Sequence, residues 1–446
     1  MKGGTEESCS EEEFAKELQQ MTALFSAGWL AAANLVGVWL AALLVRPAWG
    51  AFFGEWTYGR WMALHLNWHL YGWCSLPIVG LLLRRCLRAN RQGLRGARWA
   101  LSSWSFALLL GGVSWLQGES SGKLFLEWTG LPRLFFVAAM TFLLGLLAWN
   151  VFALSPDMPV AKNSAAGRQR LADRILVGAL ALVPVLLFCS ANRRVYPSVD
   201  ADTGGPTGAS LLGSTLVIIL ILALIPKLLG LSFRATSSGE RAFWIWFALD
   251  CGIFFLINRQ HSSHRQWSQI LGLGSLGVWV PLLTLHLQRF HWNPESRPWL
   301  HATLWWWGIL VISGFASFLP GLLDRIKFTH ALVAHAHLAM AGLLTSLNML
   351  VLANLSPALT RVVSPLLNRQ AFLCWHGGLL LQIVALCVLA SAEIEVPGVL
   401  FRGGESHAYL IRLLAGLLMT GASVYWLAGI AVRVPRTSPH IQLAPI

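Results

Sequence analysis

The chain is 446 residues long, 56% apolar and only 12% charged, with a mean hydropathy of +0.59. That balance excludes a soluble globular domain and points to an integral membrane protein. Its 33 Lys and Arg against 20 Asp and Glu give a net charge of +13, which would suit a nucleic-acid partner only if the basic residues shared one face; instead they are divided among the connections between apolar runs.

Residues 1–21 are polar and acidic and read as a cytoplasmic N-terminal segment. Within it Ser10, followed by Glu11, Glu12 and Glu13, predicts a capped helix start and a short helix ahead of the first span. The membrane domain covers residues 22–433 and contains twelve apolar runs of about twenty residues, the length a helix needs to cross a bilayer. They lie near residues 22–45, 58–83, 97–117, 131–154, 174–192, 210–233, 241–258, 268–288, 299–321, 328–355, 370–392 and 407–433. Residues 434–446 form a cytoplasmic tail. The expected fold is an all-α bundle of twelve transmembrane helices, and since the first run is long enough to span, no cleavable signal is invoked.

Basic residues follow alternate spans. Arg84, Arg85, Arg88, Arg91, Arg95 and Arg98 come after the second; Lys162, Arg168, Arg170 and Arg174 after the fourth; Lys227, Arg234 and Arg241 around the sixth-to-seventh connection. Arg289 and Arg297, Arg361 and Arg369, and Arg433 and Arg436 continue the series. By the positive-inside rule these connections and both termini are cytoplasmic, as for a protein of a bacterial inner membrane. The Tyr196 to Ser210 connection, rich in Gly, Asp, Pro and Thr, is then a noncytoplasmic loop, either mobile or in contact with a partner. The 7 cysteines show no CxxC or CxxCH spacing, which excludes covalent c-type haem, and no nucleotide-binding glycine motif or internal repeat is visible.

The chemistry lies with histidines inside the spans. His335 and His337 sit in the tenth run, and at about 100° per residue two positions one residue apart face opposite sides of a helix. One helix could therefore serve two cofactors. His65 and His69 in the second run are four apart and share a face. Both spans run from outside to inside, so His65, seven residues past Tyr58, and His337, nine past Phe328, lie at about 10 to 14 Å depth. Two imidazoles at one level on two helices can clamp one haem, with His335 left for a second. Against this stands hydrogen bonding between helices, the ordinary role of a single histidine in a span. His69 is either a core residue or a replacement for His65. Arg60, Arg325, Lys327 and Arg402, near the outer span ends, either pair with haem propionates or anchor at lipid headgroups. The 23 Trp residues partly form interfacial belts, while Trp244, Trp246 and Trp305 to Trp307 are too crowded for that alone and either line haem edges or pack the bundle.

The twelve-span plan, His65-Leu66-Asn67 in the second span, and Val333-Ala334-His335-Ala336-His337 followed by Gly342 in the tenth resemble subunit I of the haem-copper oxidase superfamily. The HxN context is more similar to the cbb-type cytochrome c oxidases and nitric oxide reductases than to the mitochondrial type, and favours His65 over His69. The resemblance implies a low-spin haem, of b type, between His65 and His337, and a high-spin haem on His335.

The chain also departs from that family, whose members place further histidines in the sixth and seventh spans for copper or non-haem iron. Here the sixth span has no histidine, tyrosine or carboxylate, and the seventh ends in Asn258-Arg259-Gln260-His261. A second metal needs at least three ligands, so copper is expected to be absent, His261, His264 and His286 being the only remaining candidates. Asp250 is the one carboxylate deep in a span, either a remnant of a proton path or the partner of a nearby donor. The expected function is electron transfer by a haem subunit of a respiratory complex, receiving electrons from a cytochrome c-type donor or quinol. The alternatives are a divergent catalytic oxidase or nitric oxide reductase, and a haem-free structural or transport protein.

Overall fold

The computed structural model describes residues 10–153, 164–233, 237–356, 361–396 and 406–433. The tail at 434–446, residues 1–9, and Lys162, Arg234, Arg402 and Arg436 lie outside the described residues. Among the described residues the regular elements are helices, with two isolated bridges, Val199 to Pro206 and Phe233 to Phe290. In chain order the α-helices are α1 (Glu11–Val45), α2 (Tyr58–Asn67), α3 (Leu76–Cys86), α4 (Arg91–Leu116), α5 (Gly130–Ala148), α6 (Ala165–Leu180), α7 (Val183–Ser190), α8 (Gly208–Leu228) and α9 (Ser237–Ile257). They continue as α10 (Trp267–Gly274), α11 (Leu276–Gln288), α12 (Arg297–Phe318), α13 (Leu323–Ile326), α14 (His330–His337), α15 (Thr345–Asn354), α16 (Arg369–Glu395) and α17 (Ser406–Arg433).

Ser10 caps α1 as expected, its hydroxyl accepting from the Glu13 N–H at 3.2 Å. The short separate helix ahead of the first span is not found. Residues 11–45 form one helix of 35 residues, because nothing between Glu11 and Val45 interrupts the hydrogen-bond ladder: there is no proline, and Phe14 and Leu18 already bury against the bundle.

Ten helical stretches among the described residues are long and apolar enough to cross a membrane. The two other runs read from the sequence are also helical but more polar. Residues 58–86 carry His65, Asn67 and His69, and Ser237–Ile257 carries Glu240, Arg241 and Asp250. Large apolar side chains stay exposed on outward faces, among them Phe106 and Leu109 of α4, Phe142 of α5 and Leu414 and Leu417 of α17. That pattern suits contact with lipid rather than water.

Two cores organise the bundle. One is built from α1 to α6 around Leu64, Trp104, Trp128 and Phe136; the other spans α8 to α17 around Trp279, Trp307, Leu350 and Trp375. α1 contributes to both, through Leu18 and Leu40 on one side and Ala27 and Leu30 on the other. Polar bonds run along the seam, where Trp73 of the second span is itself part of the second core. Gln19 Nε2 donates to the Leu352 carbonyl at 2.8 Å, Trp73 Nε1 to Thr345 Oγ1 at 2.9 Å, and Asn348 Nδ2 to the Trp73 carbonyl at 2.9 Å.

Candidate functional site

Both histidine-bearing spans change their winding at or just past the histidines. α2 passes into a π-helical segment, Trp68–Cys74, and α14 into another, Leu338–Leu344. The two segments pack against each other. Wide turns of this kind shift side-chain register and recur at functional sites; here one begins directly after His337, and the other begins three residues after His65 and contains His69.

A cavity lies at the seam beside these segments, walled by α1, α2, α14, α16 and α17 and by Leu124 and Phe125 from the α4–α5 connection. It offers about 270 Å3 to water-sized occupants, or about 1300 Å3 when all atom-free space, including its open mouth, is counted. His65, His69 and His337 line it together with Tyr58, Gln382 and Arg412. Asn34 and Thr420 add polar groups, and the rest of the wall is mostly apolar, including Val38, Leu40, Met340 and Met419, as expected for a cofactor pocket with a few converging polar groups.

The two imidazoles are set in the same way. His65 Nδ1 lies 2.8 Å from the Ala33 carbonyl of α1, and His337 Nδ1 lies 2.8 Å from the Val333 carbonyl of its own helix. A carbonyl can only accept, so each Nδ1 carries the proton and each Nε2 keeps a lone pair. This is the outer-shell arrangement that orients histidine ligands toward a metal. Gln382 Nε2 sits 3.5 Å from His337 Nε2, the far limit of a hydrogen bond, and its own Oε1 is buried without a partner. His69 lies edge-on to His65 with ring centroids 4.8 Å apart.

His335 faces away from this cavity. Its Nδ1 is 3.2 Å from Ser313 Oγ on α12, and a Cβ on Gly314 would meet its Cε1 at 3.0 Å. The two histidines of the tenth span therefore address opposite surroundings, as the helical spacing requires.

The arginines picked from the sequence are elsewhere. Arg60 donates to the Leu116 carbonyl at 3.1 Å and lies 3.8 Å from Glu55, and Arg325 is exposed on α13; neither lines the cavity. Lys327 lies 3.9 Å from Asp324. The cationic group that does line it is Arg412, 7% exposed, whose Nε and Nη1 are buried without hydrogen-bond partners while its guanidinium contacts the Tyr58 hydroxyl. Reading positive charge only at span ends missed it. The available signal was an arginine within an apolar run, which is functional by default in a membrane. Beside it, Glu393 accepts from the His330 backbone N–H at 2.7 Å and pairs with His330 Nδ1 at 2.9 Å.

A second missed residue is Glu127, in the α4–α5 connection and 5% exposed, whose Oε2 accepts from Asn67 Nδ2 at 2.7 Å. Asn67 sits between His65 and His69 in the chain and also donates to the Ala63 carbonyl at 2.7 Å. Burial pushes the Glu127 carboxyl above its ordinary range, against the opposing Asn67 and backbone hydrogen bonds.

The remaining second-metal candidates do not come together. His286 Nε2 is 3.1 Å from the Ala223 carbonyl and its ring stacks on Phe243, His264 lies beside Asp200, and His261 is exposed. Asp250 is fully buried and accepts from Trp279 Nε1 at 2.6 Å. Trp306 and Trp307 are packing residues, donating to His376 Nδ1 and the Trp279 carbonyl, whereas Trp305 is exposed.

No protein-family model matches the chain, and no curated protein matches it. Among solved structures it is similar to a heme-copper terminal oxidase determined as a dimer by cryo-EM, at 12% identity and a TM-score of 0.46, over 94% of this chain and 85% of that one. The site described above stands on this chain's own residues.

Proposed function

We propose that this chain is a haem-binding membrane subunit similar to haem-copper oxidase subunit I, passing electrons within a respiratory-chain complex. In this reading a low-spin b-type haem is held by His65 and His337, a second, high-spin haem by His335, and no copper or other second metal takes part. Residues 58–86 and Ser237–Ile257 cross the membrane as well, giving twelve spans with both termini cytoplasmic in a bacterial inner membrane. The electron donor is a cytochrome c-type domain or quinol, and the chain works with other membrane subunits.

The observation that carries the reading is that His65 and His337, from helices far apart in sequence, line one apolar cavity with each Nδ1 committed to a backbone carbonyl. Nε and Nη1 of Arg412 are buried in the same cavity without a hydrogen-bond partner, the nearby Glu393 carboxylate being engaged by His330, and so suit a further anionic group. An iron porphyrin with carboxylate side chains satisfies both requirements at once. Bound there, haem supplies a one-electron iron couple, and bis-histidine ligation leaves no open position for a substrate. The protein's own part is to orient the two imidazoles, neutralise the propionates through Arg412 and Tyr58, and keep water from the iron with Val38, Leu40, Met340 and Met419.

The test is a pyridine haemochrome assay of the purified protein with iron and copper quantified on the same sample. Haem without stoichiometric copper is expected, with His65→Ala and His337→Ala each removing the low-spin alpha band and His335→Ala and His69→Ala retaining it. A colourless wild-type protein overturns the proposal. About one copper per chain would instead favour a catalytic oxidase or nitric oxide reductase.

A further inference from the structure

At the end of the bundle where α14 begins, three connections meet around His264. They are residues 191–207, residues 258–266 and the α12–α14 connection that holds α13. Asp200 is 1% exposed and organises the first of them, its Oδ1 accepting from the Asp202 and Thr203 N–H groups at 2.9 and 3.0 Å. Its Oδ2 turns to the second connection, where it accepts from the His264 backbone N–H. The carboxylates of Asp200 and Asp202 and the imidazole of His264 bring one ligand atom each within 4.8 Å of one another.

His264 supplies the independent observation. It is 0% exposed, and neither ring nitrogen has a hydrogen-bond partner, a rare condition for a buried imidazole. Nδ1 lies 3.4 Å from Asp200 Oδ2, and Nε2 lies 3.6 Å from Asp324 Oδ1. Two donor atoms bound tetrahedrally at metal distances of about 2.0–2.2 Å stand roughly 3.3–3.6 Å apart. The Nδ1 to Oδ2 separation is that of two ligands sharing an ion.

We propose that Asp200, Asp202 and His264 bind a divalent transition-metal ion, with Asp324 orienting His264 through Nε2. One imidazole nitrogen with two carboxylates suits Zn2+ or Mn2+ rather than the all-oxygen sites of Ca2+ and Mg2+. A carboxylate behind the distal nitrogen of a ligating histidine is the usual outer-shell support. Arg265 and Lys327 approach from outside the cluster. Arg265 is 62% exposed, with its Nε 3.8 Å from Asp202 and its Nη2 3.3 Å from Asp324, and Lys327 Nζ is 3.9 Å from Asp324. They offset part of the charge of three carboxylates, and Ser263 Oγ donates to Asp202 Oδ2. The ion would staple three connections directly ahead of the helix that carries His335 and His337. This site is separate from the His65–His337 cavity and does not rest on the function proposed for it.

The experiment uses the full chain purified in detergent, stripped with EDTA and reloaded with Zn2+ or with Mn2+, then desalted and analysed for metal. Wild type should retain about one Zn2+ per chain beyond any haem iron, its thermal transition should rise on loading, and bound Mn2+ should show nitrogen coupling by pulsed EPR. Asp202→Asn, at a half-exposed position, and His264→Gln should each weaken Zn2+ binding at least tenfold and abolish the thermal shift. Asp202→Asn keeps the test decisive if His264→Gln does not fold. The proposal fails if wild type takes up no saturable Zn2+ or Mn2+, or if Asp202→Asn binds as wild type does. It also fails if the wild-type thermal transition does not respond to Zn2+ or Mn2+.

Discussion

The imidazole of His65 occupies the space that a side chain on residue 37 would need. A Cβ on Gly37 of α1 would lie 2.6 Å from His65 Cε1 and 3.1 Å from Nδ1. The glycine lets α1 approach closely enough for the Ala33 carbonyl, one turn earlier, to hold Nδ1. Gly37→Ala should therefore push the ring off that carbonyl, with an overpacking cost of about 1–3 kcal/mol, and broaden or remove the low-spin EPR signal. Gly28→Ala, on the same helix with nothing within 4 Å of the added carbon, should leave the spectrum unchanged. Identical spectra for both variants would refute the assignment of His65.

Arg412 separates a propionate anchor from a structural cation. On the proposed function, a buried positive charge beside the haem would favour the reduced iron, so Arg412→Gln should lower the midpoint potential and loosen the haem. Arg60→Ala and Arg325→Ala, which touch no part of the cavity, should leave the potential near wild type. Redox titration of the three variants decides the matter, and an equal shift in all of them would remove Arg412 from its role.

Glu127 gives a pH dependence of known sign. It lies in a connection outside the spans, and burial raises its folded-state value above the ordinary 4.5. The fold thus prefers the protonated acid. That contribution is complete below the ordinary value and is lost as pH rises through the raised one. The melting temperature in detergent should fall across that window. Glu127→Gln should flatten the fall and give a more stable protein at neutral pH. Asn67→Ala, which deletes a hydrogen bond to the carboxylate, should move the window to higher pH.

The join between the second and tenth spans along the seam depends on Trp73. Thr345→Val leaves the Trp73 indole N–H buried without its acceptor at 2.9 Å, which should cost about 1–3 kcal/mol and appear as a lower melting temperature. Asn348→Ala, which removes the donor to the Trp73 carbonyl, should act in the same direction. If neither variant melts earlier, the packing of the π-helical segments alone holds the seam.

Much of the architecture was legible because membrane spans are local objects. A run of about twenty apolar residues declares itself without knowing its neighbours, and the opposite facing of His335 and His337 follows from helical geometry alone. The extension of α1 back to Glu11 was less legible, since it depends on Phe14 and Leu18 finding partners elsewhere in the bundle. That Arg60 stays out of the cavity was beyond sequence for the same reason. Arg60 is one turn from His65 along the chain, yet its guanidinium turns to the Leu116 carbonyl, whereas Arg412 reaches the cavity from the last helix.

By itself the sequence determined the all-helical, membrane-embedded class, the places of the helices, and the histidines facing away from each other on one span, because composition and periodicity act over a few turns. The tertiary structure alone decided that His65, His337 and Arg412 line one cavity, that Gly37 makes room for the ring, and that Asp200, Asp202 and His264 converge. Those relations join residues of different helices and connections, and only the packing of the bundle specifies which of them meet.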